Sequence, residues 1–399
     1  MLTLTPIETN FLREARKKHA KLLQPNGLFD ATRILEVFPD AMTQLRNQPL
    51  ADLSDYAEQT FHLEAGPDVV LPRPRHSDSY IFKHNVLQSP PVPYFVLEDV
   101  YFSFDIRNNG APEFYVFNKD KELINGLFFG AKPFVNDPLK MIEEPSVLID
   151  DFFVSPNICH FIFDKFPRWH IASELTGPLR PVMFHPFSYV EDIFSLLGTK
   201  HLFLIDPPIR MGTVFFKSLV VFGNSINCLR HPLNNGHSLW RQALQTLQGE
   251  VPKAQSHSRT RLMLTRAPGL PRQIQNMSEV TKLLAEYNVK LVDPANFSPL
   301  EQLQMFSNCS LLIGAHGAGL TNLAFTPPGS KIIELLPPLC ATQAYWTIAH
   351  FLGYSYEAIT CIDPEHGIVD QSNVEHNPRN NRRDIIVPLE TLKTLLDQT

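Results

Sequence analysis

No two aspartates in this chain lie two positions apart, so the D-x-D grip that many nucleotide-sugar enzymes use on a divalent cation is missing, and no H-E-x-x-H helix occurs. Charge neutralisation at any phosphate site must then come from side chains and helix ends. Cysteine is sparse: Cys159, Cys228, Cys309, Cys340 and Cys361 are odd in number and widely spaced, with no C-x-x-C pair. That excludes a zinc ribbon or dithiol centre and fits buried free thiols in a reducing compartment. There is no G-x-S-x-G elbow, which removes the esterase class. No Lys/Arg block is long enough to track a phosphate backbone, so nucleic acid is not an expected partner. Nowhere do the ~18 apolar residues needed to span a bilayer run together, and the first residues lack an apolar signal core, so the expectation is a soluble, cytoplasmic chain.

What is present is a globular balance. The 399 residues, 44% hydrophobic and 19% charged, exceed what one core usually serves, which favours two domains. The formal charge is −6, so an anionic ligand would need a local basic pocket.

Along the chain, Phe11 to Leu23 reads as a helix carrying Arg13, Arg16, Lys17, Lys18 and Lys21. Weak peripheral contact with the inner face of a membrane is one reading, but a solvated surface helix is the preferred one, because charge runs normally face water and the apolar stripe is thin. Six prolines between Gly66 and Pro93 exclude regular helix and predict an extended connector. Tyr94 to Phe129 alternates aromatic runs with turn signals and reads as hairpins. From about residue 150 the pattern becomes βα, with apolar runs at 181–184, 201–205 and 216–222 and helices around Glu191 to Leu197 and Trp240. A second series follows: strands 261–265, 289–292, 310–315 and 331–335, helices Ser278–Tyr287, Pro299–Asn308 and Ala318–Phe325. Short loops between them predict a parallel, doubly wound sheet. Pro388 opens a last helix with Leu389, Leu392, Leu395 and Leu396 on one side. The expected organisation is 1–90 N-terminal segment, 91–255 acceptor-side α/β domain, 256–362 nucleotide-binding domain and 363–399 tail docking back.

Ligands of such sheets bind beyond the carboxyl ends of the strands. Arg266, Asp293 and His316 follow strands there, and Glu334 finishes one. His316-Gly317-Ala318-Gly319-Leu320-Thr321-Asn322 is the densest signal: two glycines admit close backbone approach, and the helix start beyond them offers N–H groups to phosphate. It is neither a Walker A loop nor a dinucleotide fingerprint. Arg266 and Arg272 bracket RAPGLPR, and two guanidinium forks facing that helix would clamp a diphosphate. Upstream, Ser155 as N-cap and Pro156 at N1 are expected to start a helix that puts His160 and Asp164 on one face, with Arg168 continuing the stripe until Pro167 ends or kinks it. Such a pair suits proton acceptance, and a polar stripe tying down a domain boundary fits the same residues.

These residues together resemble family 61 glycosyltransferases. The likeness rests on Thr265, Arg266, Arg272, Ile274 and Asn276, on Glu301, Gln302 and Leu303, on HGAGLTN, on the Phe325 to Ser330 turn, on Ile333, Glu334 and Leu335, and upstream on Asn157, His160, Asp164, Pro167 and Arg168. It spans roughly residues 95 to 362. The resemblance implies a GT-B architecture of two facing Rossmann-like domains, a nucleoside-diphosphate sugar donor, a glycan or glycolipid acceptor, inversion, and neither metal nor cofactor. Donor contacts then fall to Arg266, Arg272, Asn276, His316, Gly317, Ala318, Gly319, Leu320, Thr321, Asn322 and Glu334, with Glu334 near the ribose. Asp164 is the first choice of base and His160 the second, and Arg168 is an acceptor-side candidate. Without an anchor the bacterial surface-polysaccharide kind is expected. Where the family often has an aromatic pair about the motif histidine, this chain has Cys159 and Phe161. A sugar-nucleotide isomerase or hydrolase, and a non-catalytic binding subunit, are the competing readings.

Overall fold

The structure is a computed structural model describing residues 57–63, 68–83, 85–87, 92–106, 112–127, 134–150, 157–184, 188–204, 211–222, 236–251, 259–338, 340, 342–368 and 383–399. The expected basic helix at Phe11 to Leu23 lies outside them, as do Ser155 and Pro156. The protein is mixed α/β, built on two main sheets.

The N-terminal sheet has nine strands. Its spine runs Leu202–Phe203, Arg180–Met183, Ser146–Leu148, Met211–Phe222, Val92–Ile106, Pro112–Phe117 and Leu123–Leu127. The first four pair in parallel and the last four antiparallel, so a βα half and a meander share the long Met211–Phe222 strand. The aromatic alternation of the meander places Phe102, Phe104, Val116 and Phe216 in one buried cluster.

The C-terminal sheet has five parallel strands in the order Lys290–Val292, Thr260–Leu264, Cys309–Ala315, Lys331–Leu336 and Ser355–Thr360. The strand order reverses between Thr260–Leu264 and Cys309–Ala315, which makes the gap beyond their carboxyl ends the topological switch point where such sheets bind ligands. The fifth strand and the preceding helix, Ala344–Leu352, extend the sheet past the elements read from sequence. That helix is buried on nearly every side, so it carries no amphipathic period to read. Gly353, at φ 74°, closes it in the left-handed conformation that glycine adopts without strain.

Residues 68–83 correct the expectation of a connector. Prolines keep the segment out of regular structure, but it is strapped onto the C-terminal half. The Trp346 indole N–H donates to Pro72 O at 2.9 Å, Phe82 meets Trp346 edge-on at 4.8 Å, and Ser77 bonds Thr360 at 2.6 Å. The strand just before it, Gln59–Leu63, pairs with Val92–Ile106, so one stretch of chain touches both halves. The halves also share a core, in which Phe161, Phe163 and Phe166 join Trp240, Leu320, Leu323 and Trp346.

The chain end packs back on the C-terminal half. Leu392, Leu395 and Leu396 of the Leu389–Leu396 helix are buried in the cluster that holds Val280 and Leu284. Asn276 anchors this return: its Nδ2 donates to Val387 O and its Oδ1 accepts from Val387 N, each at 2.9 Å. Asn276→Ala removes both bonds and strips two backbone groups of their partner. It is expected to cost about 1–3 kcal/mol in urea unfolding and to expose the chain end to carboxypeptidase before the rest unfolds.

Candidate active site

The switch point is built on a glycine. Gly317 takes φ 151°, ψ 174°, a conformation open to glycine, and a Cβ there would sit 3.0 Å from Arg266 Nη2 and 3.3 Å from Arg272 Cζ. Both arginines of RAPGLPR therefore reach the backbone of the His316 turn, as the spacing predicts. Arg266 also donates to Pro271 O at 2.8 Å and to Ala315 O at 3.4 Å, which fixes the guanidinium. Arg272 holds φ at 69°, a costly conformation for a residue that carries a Cβ and one that accumulates at functional sites. Burial and then the neighbouring Arg272 bring Arg266 down to about 10. It stays charged at neutral pH, and an anion between two crowded guanidiniums would relieve their repulsion.

The element after Gly317 is a 3-10 helix, Ala318–Phe325, where the glycine pattern predicts helix without fixing its type. Every residue from Leu320 to Phe325 is buried along it. Its first bond is Leu320 N to Gly317 O at 2.9 Å. The N–H groups of Gly317, Ala318 and Gly319 precede that first bond of the ladder.

His316 and Glu334 come together below this turn. His316 Nδ1 lies 2.5 Å from Glu334 Oε1, and the Tyr356 hydroxyl donates to Glu334 Oε2 at 2.5 Å. Both carboxylate oxygens are thus engaged inside the protein and the side chain is 2% exposed, so Glu334 orients His316 where the sequence placed it at a ribose. Burial opposes a charge on His316, but Cys340 and Glu334 outweigh it and raise the imidazole to about 10. Tyr345 completes the turn: its hydroxyl donates to Gly317 O at 2.7 Å and reaches Cys159 Sγ at 3.5 Å.

Cys159 belongs to the second motif, so Tyr345 brings the two motifs side by side. The helix there starts later than expected, because Asn157 is the cap: its Oδ1 accepts from Cys159 N at 2.8 Å. His160 Nδ1 and Asp164 Oδ2 pair at 2.8 Å, with 22% of the imidazole and 7% of the carboxyl exposed. The expected break at Pro167 does not occur. A single π turn, Phe161–Lys165, with Phe166 N bonded to Phe161 O, absorbs the proline, and Phe166–Thr176 continues as α-helix. The extra residue in that turn rotates Arg168 off the His160 and Asp164 stripe. Arg168 is 2% exposed and donates to Ile149 O at 3.2 Å. Cys159, pushed up to about 12 chiefly by burial, is an inert thiol packed where the family pattern carries an aromatic ring.

Other motif residues hold the frame. Asn276 is committed to Val387. Thr321 and Asn322 are 0% and 1% exposed, and Asn322 Nδ2 donates to Gln302 Oε1 and Gly319 O. Gln302 in turn holds the carbonyls of Pro294 and Phe297, while Glu301 closes a capping box with Ser298. Asp293, predicted at the strand edge, caps Pro294–Asn296 through Ala295 N. Tyr345, Tyr356, Trp240 and the buried Lys165–Asp150 ion pair were not visible beforehand. They sit far from their partners in sequence and carry no local pattern.

Parts of the chain are similar to known proteins. Residues 158–333 match the family model described as Glycosyltransferase 61. That span runs from just after Asn157 through His160, Asp164 and HGAGLTN to Ile333. Among relatives, the chain is 35% identical over 65 residues to the beta-1,2-xylosyltransferase RCN11 of Oryza sativa subsp. japonica, covering 16% of this chain and 12% of that one. It is 25% identical over 151 residues to the alpha-1,3-arabinosyltransferase XAT3 of the same organism, covering 36% and 25%. The matched stretch thus spans a quarter or less of these curated relatives. A solved structure of the dodecameric iron-containing heptosyltransferase TibC in complex with ADP-D-beta-D-heptose aligns at 10% identity with a TM-score of 0.35, over 86% of this chain and 95% of that one. The rice relatives give no support to the bacterial surface-polysaccharide expectation.

The His316 and Glu334 pair sets a pH dependence. The folded imidazole holds its proton up to about 10, against about 6.5 in the unfolded chain. Its contribution to stability is full below about pH 6.5 and is lost as pH rises toward about 10. Urea unfolding is expected to weaken between pH 7 and about pH 9.5, and Glu334→Gln to flatten that decline.

Proposed function

We propose that this chain is a glycosyltransferase of GT-B-like architecture that moves a sugar, with inversion, from a nucleoside-diphosphate sugar to a glycan or glycolipid hydroxyl, without a metal ion. One observation carries this reading: Arg266 and Arg272 converge on Gly317 at the switch point of a parallel sheet, and the helix bearing His160 and Asp164 packs against the same turn through Tyr345. The guanidiniums and the leading N–H groups of the 3-10 turn take the diphosphate and stabilise it as it leaves. His316, paired with Glu334, fixes the floor of the turn beside them.

The proton acceptor is the His160 and Asp164 pair. An ionised Asp164 requires the proton on His160 Nδ1, which leaves Nε2 as the acceptor. The imidazole is the more exposed of the two, so His160 takes the acceptor hydroxyl's proton while Asp164 fixes the tautomer and balances the charge that forms. This reverses the order of preference drawn from sequence. The absence of a D-x-D pair supports charge neutralisation by side chains, and activity is expected to survive EDTA.

A panel of nucleoside-diphosphate pentoses and hexoses, with and without glycan acceptors, tests the function. Acceptor-dependent release of nucleoside diphosphate supports transfer; release or isomerisation without acceptor supports hydrolase or isomerase; binding alone supports a non-catalytic subunit. The names of the rice relatives place xylose and arabinose donors in that panel, and bacterial surface glycans belong among the acceptors. Arg266→Ala is expected to weaken nucleoside diphosphate binding by about 1.5–3 kcal/mol, read by calorimetry. His160→Gln and Asp164→Asn are each expected to lower kcat by about 10²–10⁴-fold with that binding intact.

A further inference from the structure

The π turn directs one backbone carbonyl toward another helix. Pro167 has no N–H, so the carbonyl four residues before it, Phe163 O, receives no helical bond from that position. Trp240, far along the chain in the Gly236–Glu250 helix, supplies one: its indole Nε1–H donates to Phe163 O at 3.1 Å, and the ring stacks on Phe163 with centroids 6.0 Å apart. Both residues are buried, at 5% and 0% exposure. The donor is held from behind, because the same helix is tied to the C-terminal half by Arg241 to Phe351 O and Gln248 to Ala324 O. Phe163 immediately precedes Asp164 within the Phe161–Lys165 turn. An indole that sets the tilt of the Phe163 carbonyl therefore sets the backbone from which the Asp164 carboxyl reaches His160.

We propose that Trp240 is a positioning residue for the His160 and Asp164 pair, acting through the Phe163 carbonyl, to which Pro167 offers no N–H. The inference rests on the reading of that pair as the proton-accepting centre. Without the indole N–H the carbonyl must turn toward another donor, and the π turn moves with it. Packing alone would make no such demand, since a phenylalanine ring fills much of the same space.

Trp240→Phe keeps a ring and removes the N–H; Pro167→Ala restores a backbone N–H that Phe163 O can accept. Trp240→Phe is expected to lower kcat by about 10- to 100-fold, as misplacement of a catalytic group does, with the Kd for UDP or GDP unchanged. The Nδ1–H resonance of His160, shifted downfield by its bond to Asp164, is expected to disappear in proton NMR. Combining Pro167→Ala with Trp240→Phe is expected to bring back that resonance and the rate. Additive losses in the double variant, or a parental resonance in Trp240→Phe, would overturn the inference. His160→Gln in the same assay separates the two readings: a parental rate there removes the pair as the centre, whereas an inactive His160→Gln beside a parental Trp240→Phe removes the role of Trp240 alone. Should Trp240→Phe fail to fold, 3-benzothienylalanine at position 240 keeps the bicyclic shape without the N–H, and the same resonance is read.

Discussion

The hydroxyl of Tyr345 is where the two halves of the site meet. It donates to the carbonyl of Gly317 at 2.7 Å and has Cys159 Sγ on its other side at 3.5 Å. The geometry of the site depends on that contact, because the Gly317 turn belongs to one sheet and the helix bearing His160 and Asp164 to another part of the chain. A buried phenol with a single satisfied donor tolerates little displacement, since losing the bond would strand a polar group in an apolar core. Burial also raises the Tyr345 hydroxyl well above its ordinary pKa, so the bridge remains a neutral donor across the working pH range.

The charges around this bridge are arranged in two contrasting ways. His316 and Glu334 neutralise each other at 2.5 Å and draw in Tyr356, a closed group that fixes geometry. Arg266 and Arg272 are like charges crowded against one glycine. Crowded guanidiniums favour an anion between them, whereas a closed pair needs none. The contrast sets a closed His316 and Glu334 pair beside two crowded cations.

Much of this was legible in the sequence, for reasons that can be named. Runs such as RLML and SLLIGA are long, apolar and bounded by short polar loops, so the parallel sheet and the residues at its carboxyl ends follow from pattern. The pairing of His160 with Asp164 follows from helical spacing, which one π turn left intact upstream and shifted downstream, where Arg168 turned to Ile149 O. What stayed hidden has no local signature. Tyr345, Tyr356 and Trp240 act on groups 28, 22 and 77 residues away, distances at which no periodicity speaks. Glu334 was placed correctly along its strand and misread in role, because a strand register fixes a side chain's face and not its partner.

The tryptophans make the same point from the opposite direction. Each of the three donates its indole N–H to a backbone carbonyl: Trp169 to Leu179, Trp240 to Phe163 and Trp346 to Pro72. Each carbonyl lies in or beside a segment containing or flanked by proline or glycine, where the regular ladder is interrupted and an acceptor is left over. A large ring buries apolar surface while its one polar atom satisfies that acceptor, so irregular backbone can be kept inside the core without an orphaned group. The irregular segments are the ones the site requires: the π turn behind Asp164 and the strap that holds the Ala344–Leu352 helix, from which Tyr345 reaches Gly317. Within HGAGLTN the same division holds along seven residues. The leading His-Gly-Ala-Gly supplies the floor and the N–H groups, and Leu-Thr-Asn is sunk in the core to keep them there.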